Sequence, residues 1–239
     1  AGQSAICQGK ILNRTTTKSL KVLYGNCQSI ILKLNELRTM LCNYPQAERP
    51  TVVALCETWT HPEILDNELS MPGYNLKIRD DRSDTTRGRG GGILVYVKDG
   101  VTAYEDHTKK LEEFNQGVCL KILTGSRMLK IFVIYRSPNS TRENDLALEN
   151  VINQSDKDTI FVGDFNFPDV NWATWTCESS RSQRFVDVVT DNFLQQLVDF
   201  PTRKLLTLDL LLVGDPNLIN YVKCCGKIGS SDHDAFEFV

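Results

Sequence analysis

The stretch Thr159–Trp172, TIFVGDFNFPDVNW, decides how the rest of the chain is read. Thr159 to Val162 is a short apolar run with the composition of a buried strand. The run is expected to break at Gly163 and then to present Asp164 and Asn166 on either side of Phe165. Alternation along extended chain puts those two polar side chains on one face and Phe165 on the other. A carboxylate beside a carboxamide at the mouth of a buried strand suits a scissile phosphate. The first orients or deprotonates a water and the second hydrogen-bonds a phosphoryl oxygen. The same letters also read as an Asx turn closing a strand, so the rest of the chain must decide.

Outward from that stretch, other apolar runs end in polar residues. Ser19–Tyr24 alternates as a strand and runs into Gly25-Asn26. Ile30, Leu34, Leu37 and Leu41 follow at helical spacing. Thr51–Leu55 is a continuous apolar strand, of the kind buried on both faces, and leads through Cys56 to Glu57. A carboxylate there costs desolvation energy unless it is paired or binds a metal. Tyr74–Ile78, Ile93–Lys98, Gly117–Leu123 and Met128–Tyr135 are further strands. Arg142–Gln154 reads as a helix with Leu146, Val151 and Ile152 inward. Phe185, Val188, Val189, Phe193, Leu194 and Leu197 form a second helical stripe. Asp209 is a lone carboxylate in the run Leu208–Val213, and Asp232-His233 precedes a last alternating strand, Ala235–Val239. Strands dominate without strict βαβ order, so two sheets packed face to face with helices outside are expected.

The composition narrows the chemistry. The chain has 239 residues, 41% of them hydrophobic, enough for one substantial core. With 27 basic and 30 acidic residues, net charge gives no global case for a nucleic-acid partner. A local case rests on the Arg-rich, Gly-rich segment 79–92, where Arg82, Arg87 and Arg89 are candidates for phosphate or groove contact; Arg136 and Arg181 join them. Segment 79–92 is not a phosphate-cradling P-loop, since no Gly-Lys-Ser/Thr follows. Eight cysteines without a C-x-x-C pair, and three histidines, argue against structural zinc and for free thiols in a reducing compartment. No apolar run is long enough to span a bilayer as a helix. No secretory leader is read, and Ala1 in place of Met reads as a piece of a longer chain.

Strand-end polar residues therefore recur: Asn26, Glu57, Tyr135, Asp164 with Asn166, Asp209, and Asp232 with His233. Gathered at one rim, they match metal-assisted phosphodiester hydrolysis. Oxygen ligands suit Mg²⁺ or Mn²⁺ rather than Zn²⁺, and a histidine beside a carboxylate suits an acid–base or charge-stabilising pair. His61 and His107 read as surface residues.

At these residues the chain resembles the exonuclease–endonuclease–phosphatase superfamily. Within it, the chain resembles the apurinic-type endonuclease domain of non-LTR (LINE-type) retrotransposon polyproteins. The matching pieces are YGNCQS, LCETW, RGRGGGILVYVK, YRSPN, GDFNFPDVNW, PTRKLLTLDLLLV and SDHDAFEF, seven in order across residues 19–239. The resemblance implies an α/β fold: a four-layer sandwich of two mostly antiparallel sheets flanked by helices, in one domain over 1–239 with 1–18 as a peripheral lead-in. It implies Glu57 as principal Mg²⁺ ligand, with Asn26 and Asp232 beside the metal, and Tyr135 on the phosphate. It implies Asp164 on the attacking water with Asn166 as partner, an Asp209–His233 dyad, and Thr202 and Ser231 in support. The family carries Ala or a basic residue around the Asn of the first motif; here Cys27 and Gln28 flank it. The implied activity is nicking of double-stranded DNA to leave a 3′-hydroxyl that primes target-primed reverse transcription in the nucleus. The reverse transcriptase lies outside these residues, and the isolated domain is expected to be monomeric. A phosphatase of the same fold and a catalytically silent DNA-binding domain are the alternatives.

Overall fold

The chain builds two six-stranded sheets. This computed structural model describes residues 20–81, 90–107, 111 and 113–239. The lead-in read at 1–18 and the loop residues Arg82, Arg87 and Arg89 lie outside them. The first sheet is formed by β1 (Val22–Asn26), β2 (Val52–Cys56), β3 (Tyr74–Asp80), β4 (Ile93–Lys98), β11 (Val222–Lys227) and β12 (Asp234–Phe238). Its spatial order is β11-β12-β1-β2-β4-β3. The second sheet is formed by β5 (Ala103–Glu105), β6 (Gly117–Thr124), β7 (Arg127–Tyr135), β8 (Thr159–Asp164), β9 (Gln195–Gln196) and β10 (Asp209–Val213). Its order is β5-β6-β7-β8-β10-β9. One parallel pair sits at the centre of each sheet, β1 with β2 and β7 with β8; the other pairings are antiparallel.

Strand alternation sorts the apolar side chains into three cores. Val22, Tyr24, Val52 and Ala54 of the first sheet meet Ile131, Val133, Ile160 and Val162 of the second between the sheets. Their neighbours point outward. Leu23, Val53 and Leu55 pack under helix α1 (Leu34–Asn43) through Leu34, Leu37 and Leu41. Phe132, Phe161 and Leu210 pack under α2 (Arg142–Ile152) and α3 (Ser180–Asp191) through Leu148, Val151, Phe185 and Val189. The result is the four-layer α/β sandwich, and it explains why TVVAL reads as a continuous apolar run: both faces are covered. Side-chain caps fix the helix starts, with Thr141 accepting the Asn144 amide and Ser179 the Ser182 amide.

Several local readings are corrected. Gly163 does not break β8; it pairs inside the strand with Ile134 and Leu210, and the strand runs on to Asp164. The β7 backbone passes so close that a Cβ on Gly163 would stand 1.9 Å from the Ile134 carbonyl oxygen. Leu146 faces solvent, and Ala147 and Leu148 take the inward positions. The second helical stripe ends at Asp191. Phe193 adopts a left-handed φ of 55° and is 85% exposed, while Leu194 turns back into the core. Among the described residues no helix is long and apolar enough to cross a membrane. The seven described cysteines are free thiols.

Candidate active site

The two parallel pairs bring four strand ends to one edge of the sandwich. Asn26 ends β1, Tyr135 ends β7 and Asp164 ends β8; Glu57 follows β2. The antiparallel strands β10 and β12 begin at the same edge, so Asp209 pairs in register with Asp164, and His233 precedes Asp234.

The side chains meet there. Asn26 Nδ2 donates to Asp164 Oδ2 at 3.0 Å and lies 3.3 Å from Glu57 Oε1. One amide thus bridges two carboxylates from different sheets. Glu57 adopts a left-handed φ of 50°, and its other oxygen accepts the Trp59 indole N–H at 3.2 Å. Asp164 Oδ1 accepts the Asn166 backbone N–H at 3.1 Å, and Asn166 itself has φ of 52°. The Asx turn and the polar pair are therefore both present. The two residues are placed by that turn rather than by strand alternation. The Asn166 side chain donates to the Arg136 carbonyl at 3.1 Å.

Asp209 is fully buried and accepts from two sides: the Tyr24 hydroxyl at 2.7 Å and His233 Nδ1 at 2.7 Å. Thr202 Oγ1 accepts the backbone N–H groups of Leu208 and Asp209. Ser231 donates its hydroxyl to the Asn26 carbonyl at 2.7 Å and accepts the His233 N–H, tying the first motif to the last. Asp232 Oδ2 is gripped by Arg203 at 2.8 Å, whereas Oδ1 is buried without a hydrogen-bond partner and stands 3.7 Å from His233 Nε2.

The electrostatics follow from this crowding. Burial pushes the Asp164 carboxyl well above the usual range, and the Asp209 and Glu57 charges push it further; the Asn26 amide and the Asn166 N–H offset only part. Burial raises the Tyr135 hydroxyl, as do the neighbouring Glu57 and Asp164 charges. Burial also works against ionisation of Asp232, but Arg203 and His233 outweigh it and hold that carboxyl below its ordinary value. Asp164, Asp209 and His233 each offer a ligand atom, all within 4.8 Å of one another.

Not every expected residue belongs to this rim. Arg136, expected at a DNA interface, is 2% exposed and points into the second sheet's helical layer. Its guanidinium pairs with Asp145 at 2.7 Å, donates to the Phe165 and Asn166 carbonyls, and stacks 3.9 Å from the Phe167 ring centre. A residue so enclosed supports the Asp164–Asn166 turn from behind and does not reach a ligand. Arg181 is half-exposed on α3 and is ion-paired to the same Asp145. His61 and His107 sit beside Glu63 and Glu105, outside the rim. Four residues of the rim escape a sequence reading: Tyr24, Trp59, Gln28, whose side-chain oxygen accepts the Asp232 N–H, and Arg203. Only Tyr24 carried a signal, since a tyrosine in a doubly covered strand needs a partner for its hydroxyl.

This architecture is the four-layer α/β sandwich that the resemblance to the exonuclease–endonuclease–phosphatase superfamily implies. Residues 129–237 match the family model described as endonuclease-reverse transcriptase. Among solved structures, the chain is similar to the endonuclease domain of TRAS1, a telomere-specific non-LTR retrotransposon. The TM-score is 0.66 at 16% identity, over 92% of this chain and 96% of that one. It is similar to the AP endonuclease LMAP from Leishmania major, with TM-score 0.69 at 13% identity over 92% and 86% of the two chains. It is likewise similar to the 3′ phosphatase NExo from Neisseria, solved with a product DNA hairpin, with TM-score 0.68 at 14% identity over 92% and 99%. No curated protein matches the chain by sequence.

Proposed function

We propose that this chain is a Mg²⁺-dependent DNA endonuclease of a non-LTR retrotransposon. On this reading it nicks double-stranded DNA and leaves a 3′-hydroxyl for a reverse transcriptase of the same polyprotein. The observation that carries the proposal is the meeting of Asn26, Glu57, Asp164, Asp209, Asp232 and His233 at one rim, from five separate stretches of sequence.

The donor set fits an oxygen-liganded divalent cation. Glu57 and Asp164 share one amide, and Asp232 keeps a buried oxygen without a partner. Glu57 would hold Mg²⁺ or Mn²⁺, with Asn26 and Asp232 beside it. A cation among Asp164, Asp209 and His233 is the competing placement. It is disfavoured because Asp209 and His233 already satisfy each other. When bound, the cation neutralises charge on a phosphoryl oxygen.

The chain's own groups supply the rest. Asp164 orients a water for in-line attack on phosphorus and takes its proton. The P–O bond to the 3′ oxygen breaks, and that oxygen leaves as the 3′-hydroxyl once protonated. Asp209 accepts the His233 Nδ1–H and stabilises the doubly protonated ring, whose Nε2–H donates to a phosphoryl oxygen as charge builds. Asn166 and Tyr135 add polar contacts to the phosphate, and Thr202 and Ser231 hold the backbone beneath.

Supercoiled plasmid supplies the test. Wild-type protein should convert it to the open circle with Mg²⁺ and leave it intact with EDTA, and the nick should be extendable by a polymerase. Asp164→Ala should lose about 10²–10⁴-fold in rate; full nicking by that variant refutes the assignment. Phosphate release from small phosphomonoesters without nicking would move the activity to a phosphatase. Metal-independent duplex binding without cleavage would identify a silent DNA-binding domain.

A further inference from the structure

Arg203 belongs to no role assigned above, yet it touches the centre of the rim. Its Nε and Nη2 both lie 2.8 Å from Asp232 Oδ2. Its backbone is locked: Arg203 and Leu206 exchange both N–H···O bonds, and Arg203 bridges to His233 on the neighbouring segment. Thr202, next to it, accepts the Asp234 N–H at 2.7 Å. The side chain is 37% exposed, as is that of Asp232. The root is fixed, the tip is wet, and half-exposed ion pairs are weak enough to be exchanged.

The charges around it give the exchange a direction. Glu57, Asp164, Asp209 and Asp232 crowd one rim, and a phosphodiester entering it brings a further negative charge. Among the described residues Arg203 is the arginine paired with those carboxylates. Lys33 lies close by, but its ammonium is spent on the Cys27 and Gln28 carbonyls. Arg136 and Arg181 are spent on Asp145. A guanidinium grips carboxylate and phosphate with the same two-pronged geometry, so one partner can replace the other without rebuilding the site.

We propose that Arg203 is an exchange residue: it restrains Asp232 in the free protein and passes to a backbone phosphate of the bound nucleic acid, freeing Asp232 to serve the cation. The inference rests on the nuclease reading and adds to it a substrate-positioning contact and an order of events. Without nucleic acid, Arg203 competes with the cation for Asp232; with it, the competition ends.

The test uses Arg203→Gln and Arg203→Lys in the full chain, with melting temperature as the check on folding. Duplex oligonucleotide binding is measured in EDTA across a salt series. Arg203→Gln should lower the slope of log affinity against log salt by about one, the loss of a single phosphate contact, while Arg203→Lys should keep the slope. Mn²⁺ binding without DNA, read by calorimetry, should tighten in Arg203→Gln because Asp232 is released. A slope and a Mn²⁺ affinity both equal to wild type in a folded Arg203→Gln overturn the exchange while leaving the nuclease intact. A wild-type protein that neither binds nor nicks duplex DNA overturns the nuclease reading itself, and the exchange falls with it.

Discussion

Arg136→Met separates a structural arginine from a ligand-binding one. The guanidinium makes four polar contacts: Asp145 Oδ1 at 2.7 Å, Asp145 Oδ2 at 3.3 Å, and the Phe165 and Asn166 carbonyls at 3.2 and 2.8 Å. It also covers the Phe167 ring. Methionine fills much of the volume but leaves two carbonyls and part of a buried carboxylate without donors. Removing one partner of a buried pair costs about 3–5 kcal/mol. Asp145 keeps Arg181 and the Ser140 hydroxyl, so the lower end, about 3 kcal/mol, is expected. For a chain of this length that corresponds to a melting temperature lower by roughly 6–12 °C. Thermal and urea melts measure it, and Arg136→Met combined with Asp145→Asn should cost less than the sum, with a coupling of about 1–3 kcal/mol. Duplex affinity at low temperature should keep its salt slope. Stability within about 0.5 kcal/mol of wild type, or a slope reduced by about one, would refute the reasoning and return Arg136 to the DNA interface.

Three further outcomes are expected. Asp209→Asn keeps the shape of the site but loses an acceptor shared by Tyr24 and His233; nicking should slow about 10²–10⁴-fold with duplex affinity little changed. Gly163→Ala should destabilise by about 1–3 kcal/mol or more, because its Cβ meets the Ile134 carbonyl, and urea midpoints read this directly. Although burial works against it, Arg136 and Arg181 hold the Asp145 carboxyl below its ordinary value. The unfolded chain therefore takes up that proton first, so Asp145's contribution is complete above the ordinary carboxylate range of about 4 and is lost as pH falls below it. Asp145→Asn should flatten the acid limb of stability against pH.

The strand-end polar residues were legible because burial on both faces leaves a run with no polar letters. The first carboxylate after such a run, Glu57 after VVALC or Asp164 after TIFVG, stands out as a cost needing an explanation. The same logic fails for β5, β9 and β11. They are short or exposed, with burial patterns that never settle into alternation, so pairing alone defines them. Gly163 misled because a glycine in a strand reads as an interruption, whereas here it makes room for the neighbouring strand. Arg136 misled because its partners are non-local: a carboxylate on α2 and two carbonyls beyond β8. Arg203 gave no signal, since its meaning depends on Asp232, twenty-nine positions later.

The position of the rim follows from strand direction. β1 packs against β8 and β2 against β7 across the sandwich, so the two central parallel pairs end at the same edge. Chain leaving a parallel strand at a sheet's centre is flanked by other strands, and a charge placed there is screened by little water. The fold then concentrates Glu57 and Asp209 where their charges add to the cost of ionising the buried Asp164. The Asn26 amide and the Asn166 N–H recover part of that cost through hydrogen bonds. The upward displacement of the Asp164 carboxyl is what they leave unrecovered. A protein tolerates such a site only because three apolar cores, one between the sheets and one under each helical layer, carry the stability elsewhere. Positive charge entering the rim is favoured by the same crowding that makes the Asp164 carboxylate expensive to bury.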